Sequence, residues 1–103
     1  MMRSIVLVAA LCASVAAYGQ EISTEVYETS HTQAKCMGEA EDALKGENFD
    51  ENSATRGRTV EGENGDYKAQ VRCGDNSATV VVTGPNRQQA RTHRDAIGSA
   101  LKK

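Results

Sequence analysis

The stretch that decides the fold is Tyr67-Lys68-Ala69-Gln70-Val71-Arg72-Cys73, then Gly74-Asp75-Asn76, then Ser77-Ala78-Thr79-Val80-Val81-Val82-Thr83. In its first part Tyr67, Ala69, Val71 and Cys73 alternate with Lys68, Gln70 and Arg72, the period of a strand with one buried face. In its second part Ala78, Val80 and Val82 alternate with Thr79, Val81 and Thr83. A turn at Asp75-Asn76 sets Cys73 against Ala78, Val71 against Val80 and Ala69 against Val82. A slip of one residue would turn one strand's apolar set to the other face, so the pattern predicts an antiparallel hairpin in this register.

Upstream, Asn64-Gly65 is the strongest local turn signal and favours a two-residue hairpin. Centred there, the hairpin sets Ala69 against Val60, and Tyr67 against Gly62, where a ring can cover a residue without a side chain. It also sets Val71 against Arg58 and Cys73 against Arg56, on the face that should be buried. Either Gly57 marks a bulge that returns the arginines to water, or Arg56 and Arg58 reach past the end of the core and line a binding edge.

Residues 20–29 contain Ile22, Thr24, Val26, Tyr27 and Thr29, a β-favouring composition. Ser30, with Gln33 three residues on, has the pattern of a capping box and opens a helix. Cys36, Met37, Ala40, Ala43 and Leu44 share one face of that helix, and Gly46 is placed to cap its end. At the other end of the chain, Thr83-Gly84-Pro85 closes the sheet, and the proline suits a first helical position. Ala90, His93, Ile97, Ala100 and Leu101 form the apolar stripe of the last helix. The expected architecture is α+β in the order β-α-β-β-β-α, an antiparallel sheet with two helices packed on one face.

The N-terminus carries a different signal. A short basic start, Met1-Met2-Arg3, precedes the uncharged apolar run Ser4-Ile5-Val6-Leu7-Val8-Ala9-Ala10-Leu11-Cys12-Ala13-Ser14-Val15-Ala16-Ala17. Residues 1–19 therefore read as a secretory signal peptide, too short to span a membrane. Cleavage after Gly19 or Ala17 fits the small-residue rule, and Cys12 leaves with the signal. Residues 20–103 are then one small domain in the periplasm or outside the cell. Its two remaining cysteines, Cys36 and Cys73, meet an oxidising compartment and are expected to pair, closing a loop of about three dozen residues.

Composition narrows function by exclusion. Residues 20–51 carry nine acids against Lys35 and Lys45, and residues 52–103 carry nine bases against five acids. The acidic sum argues against a nucleic-acid binder. The cysteines lack the two-residue spacing of thiol oxidoreductases, and with His31 and His93 they match no recurrent zinc spacing. His31 is expected in solvent and His93 at the core boundary. Arg87, Arg91 and Arg94 follow one side of the last helix at i, i+4 and i+7. They form either a solvated face answered by acids of the first helix or a cationic stripe, extended by Lys102 and Lys103, for an acidic partner.

Taken together, Ala34-x-Cys36, Gly65-Asp66-Tyr67-x-Ala69-x-Val71-x-Cys73, Val80-Val81-Val82-Thr83-Gly84-Pro85 and the final helix resemble small exported bacterial proteins of unassigned function with one helix-to-strand cysteine pair. The resemblance implies the fold and no activity. The expectation is a non-catalytic exported domain that binds a protein or an acidic envelope component, without cofactor or metal. The interface is expected at Arg87, Arg91 and Arg94 or at Arg56 and Arg58. The alternatives are an inhibitor or immunity-type protein that blocks an envelope enzyme or toxin, and a small hydrolase or metal-dependent enzyme that uses His93.

Overall fold

A computed structural model describes residues 21–29 and 31–102; the signal-peptide reading of residues 1–19 falls outside them. Among the described residues seven elements follow in order: β1 (Glu21–Glu28), α1 (Gln33–Gly46), β2 (Glu51–Arg56), β3 (Thr59–Asn64), β4 (Tyr67–Gly74), β5 (Ser77–Gly84) and α2 (Arg87–Leu101). The strands form one antiparallel sheet in the order β1-β5-β4-β3-β2. Both helices pack on the same face, α1 against β3 and β4, α2 against β1 and β5, and they touch each other. The α+β class and its layering are as expected, with one strand more.

The β4–β5 hairpin has the expected register, with Cys73 opposite Ala78, Val71 opposite Val80 and Ala69 opposite Val82. All six are fully buried and form the floor of the core. Cys36, Ala40 and Leu44 of α1, Ala90, Ile97 and Leu101 of α2, and Phe49 complete it from above. Cys36 and Cys73 are joined by a disulfide, Cα to Cα 5.9 Å, between α1 and β4.

The added strand is β2, and it explains the arginines. Arg56 pairs with Thr59, so Gly57-Arg58 is a two-residue turn rather than a bulge inside one strand. Gly57 sits at φ +58, the left-handed region that favours glycine in such a turn. The next turn is centred on Gly65-Asp66, one residue later than expected, with Gly65 at φ +59 and Asn64 opposite Tyr67. That shift pairs Val60 with Val71 and Gly62 with Ala69, so the apolar residues of β3 and β4 meet and Arg56 and Arg58 stand exposed at a hairpin tip. Tyr67 covers a glycine, but it is Gly84 on the other neighbouring strand; the backbone of Phe49 lies over Gly62.

The helix ends differ by one or two residues from the sequence reading. Thr32 caps α1, its hydroxyl accepting from the Lys35 N–H at 3.2 Å, and Glu47, not Gly46, is the C-cap. Asn86 caps α2 by accepting from the Gln89 N–H at 2.9 Å, which leaves Pro85 just before the cap. Each cap satisfies an N–H group with no partner inside the helix. His31 corrects an expectation outright. It is buried in the β1–α1 connection, where its backbone N–H donates to the Thr29 hydroxyl at 3.3 Å.

Candidate functional site

With both helices on one face, the other face of the sheet presents alternate residues of all five strands. The registers order them into rows that run across the strands. One row is Val26, Thr79, Arg72, Thr59 and Arg56, from β1 to β2. The next is Thr24, Val81, Gln70, Glu61 and Ala54. Glu61 accepts from the Gln70 amide at 3.2 Å and lies 3.8 Å from the Lys68 ammonium, so Lys68 is answered within the sheet.

The first row is not answered in this way. Arg56 and Arg72 flank Thr59 on adjacent strands, which spaces their backbones about 10 Å apart. Arg58 occupies the neighbouring turn, where its carbonyl accepts the Cys73 N–H at 2.8 Å. All three side chains are exposed, and none pairs with a carboxylate among the described residues. Sequence reasoning singled out Arg56 and Arg58 and missed Arg72. The missing signal was β4's own polar alternation, Lys68, Gln70 and Arg72, which becomes a surface once the partner strands are known.

The three arginines of α2 part company. Arg87 donates to Glu21 at 2.9 Å. Arg94 is largely covered, 16% exposed, and its guanidinium reaches Asp95 at 2.7 Å, the Ser23 hydroxyl at 3.0 Å and Glu25 at 3.8 Å. The hydrogen bond to Asp95 raises its pKa further, so it stays cationic at any working pH. Their acids thus come from β1 and from α2 itself, not from the first helix as expected. Arg91 is exposed and has no carboxylate partner among the described residues. Beneath Arg94, burial raises the Tyr27 phenol above its ordinary pKa, and Asp95 adds to the effect.

His93 lies at the α1–α2 end of the core. Its ring meets Phe49 edge-on at 4.9 Å and Tyr67 at 5.4 Å, and its Nδ1 is 3.8 Å from a Glu47 oxygen. Nε2 contacts the Gln89 amide at 3.2 Å. The side chain is 13% exposed, so the ring is wedged among packed neighbours. The Cys36 and Cys73 sulfurs are bonded to each other. Among the described residues no group of three or more His, Cys, Asp or Glu residues is placed to hold a metal ion.

A shallow cavity of about 260 Å³ opens between α1 and the β2–β3 edge. Leu44, Phe49 and Val60 form its apolar floor, and Glu41, Lys45 and Thr55 stand at its rim. The Thr55 hydroxyl donates to Glu41 at 3.1 Å across the mouth. Among the described residues no helix is long and apolar enough to cross a membrane. The disulfide is consistent with an oxidising extracytoplasmic compartment. No family model matches the chain, and neither a curated protein nor a solved structure matches it, so the molecule is characterised by its α+β fold and its Cys36–Cys73 bridge alone.

Proposed function

We propose that the chain is a non-catalytic binding domain, exported to the periplasm or the exterior, that recognises an acidic macromolecule through the Arg56–Arg58–Arg72 corner of its open sheet face. The observation that carries this reading is the division of the cations. Lys68, Arg87 and Arg94 are engaged by carboxylates of the fold, whereas Arg56, Arg58 and Arg72 share one exposed corner without any among the described residues. Unanswered positive charge on a rigid strand scaffold attracts and orients an acidic surface. Arginine also offers paired donors to carboxylate or phosphate groups. Export is supported by the apolar start of the sequence and the disulfide.

The test is affinity capture from envelope extract with the oxidised protein as bait, compared with the triple variant Arg56→Glu, Arg58→Glu and Arg72→Glu. The variant should lose the captured partner, and capture by the parent should weaken with added salt. Equal capture by both proteins would remove this corner from consideration. A hydrolase reading draws on the Glu47 oxygen 3.8 Å from His93. The nearly covered, edge-packed ring fits a boundary core residue better than a base that must reach substrate.

A further inference from the structure

The two edges of the sheet are built differently. β2 is a six-residue edge whose ladder is interrupted between Glu51 and Ala54, with Asn52 at φ 50. A short, bulged, polar edge is poorly shaped to accept another strand. β1 is the opposite case. Its eight residues pair with β5 without a break, and it contains no proline, lysine or bulge. Among the described residues no strand pairs with its outer side.

The direction of its free backbone groups is known. The Thr29 N–H donates to the Asn76 carbonyl at 3.0 Å, so the odd positions of β1 face β5. Ile22, Thr24, Val26 and Glu28 therefore turn their N–H and C=O groups outward. Two of these also carry the exposed large apolar side chains, Ile22 at 67% and Val26 at 62%. They lie four residues apart, symmetrically about Thr24.

We propose that a second copy of the chain pairs its β1 antiparallel to this one about Thr24, joining two sheets into one of ten strands. A two-fold ladder centred on Thr24 sets Ile22 of each copy directly against Val26 of the other, so both exposed apolar residues are covered twice over. The outward groups permit few other symmetric registers. Centring on Glu25 would set carboxylate against carboxylate, and centring on Ser23 would leave Val26 without a partner.

Charge supports the same register. Arg87 over Glu21 and Arg94 over Ser23 and Glu25 show that α2 runs along β1 on the helix side. Arg91, between them in the sequence of the helix, is exposed and has no carboxylate partner among the described residues. In the Thr24 register Ser23 faces Glu25 of the second copy, which brings that half-exposed carboxylate beneath Arg91. The unpaired cation of the stripe and the open edge thus have one explanation. The Arg56–Arg72 corner lies across the sheet and is left free.

Sedimentation equilibrium of the oxidised protein should show twice the chain mass as concentration rises. Val26→Lys, which places a charge on the edge, should restore the single mass, with a thermal melt equal to the parent's at concentrations where the parent is a single chain. Arg91→Glu should weaken the dimer about tenfold, the effect of losing two symmetry-related ion pairs. Thr24→Cys fixes the register, because residues facing each other at the dyad are about 5.5 Å apart, within reach of a disulfide. That variant should cross-link to a dimer under mild oxidation, whereas Glu25→Cys should not. A single-chain mass at every concentration would overturn the proposal. So would a dimer mass untouched by Val26→Lys, or a Thr24→Cys protein that stays uncross-linked.

Discussion

At the scale of single residues, the same substitution is expected to stabilise in one helix and not in the other. Gly38 lies in α1 with open space where a Cβ would stand, whereas a Cβ on Gly98 of α2 would run into the Tyr27 ring. Gly38→Ala should stabilise by up to about 1 kcal/mol, the difference in helix propensity. Gly98→Ala gains the same propensity but overpacks a buried ring, a cost of about 1–3 kcal/mol, so it should be neutral to destabilising. Urea unfolding of the two variants measures the contrast; a clear gain at Gly98 would mean that Tyr27 can move away. That ring is held from several sides. Its hydroxyl is 3.5 Å from the Arg94 carbonyl and from Asp95, and the Lys102 ammonium sits 5.1 Å over its face. None of these contacts was legible in the sequence, because residues some 70 positions apart meet only when α2 folds back along β1. His31 was misplaced for a related reason. Its position near a helix start reads as exposed, and only the path of the β1–α1 connection buries it.

Among the elements, the hairpins show where local pattern is sufficient and where it is not. β4 and β5 were legible to the residue because both strands alternate cleanly and their turn leaves one self-consistent register. β2 and β3 lack that support. Glu51–Arg56 is polar at nearly every position and carries an irregularity, so no period marks it as a strand. Its presence rests on the Gly57-Arg58 turn and on pairing with β3. Gly57→Val should therefore cost about 1–2 kcal/mol, since a β-branched residue is strained at φ +58. Hydrogen exchange should locate the loss at β2 and β3 while β4 and β5 stay protected. Uniform loss across the sheet would mean that β2 is integral to the core. At the candidate site, Arg56 and Arg58 were legible as misfits on a face that should be buried. Arg72 was not, because its neighbours across the sheet depend on the true position of the second turn.

For the whole molecule, the bridge carries much of the stability. The disulfide closes a separation of 37 residues, for which loop-closure entropy gives on the order of 4 kcal/mol, a large share of a small domain's total. Reduction, or Cys36→Ala with Cys73→Ala, should lower the unfolding free energy by that amount; an unchanged urea midpoint would show that the packed core suffices. The sequence by itself determined the class of fold, the buried faces of both helices and of the central hairpin, and the pairing of Cys36 with Cys73. These follow from periodicity and composition, which act over a few residues and need no knowledge of neighbours. Only the tertiary structure decided that β1 and β2 are the sheet's edges. It also decided that β1's acids answer Arg87 and Arg94, and that Arg56 and Arg72 stand on one row. Those outcomes depend on strand order and on a one-residue choice of turn, which side-chain pattern specifies weakly in polar segments and which close packing of the whole chain resolves.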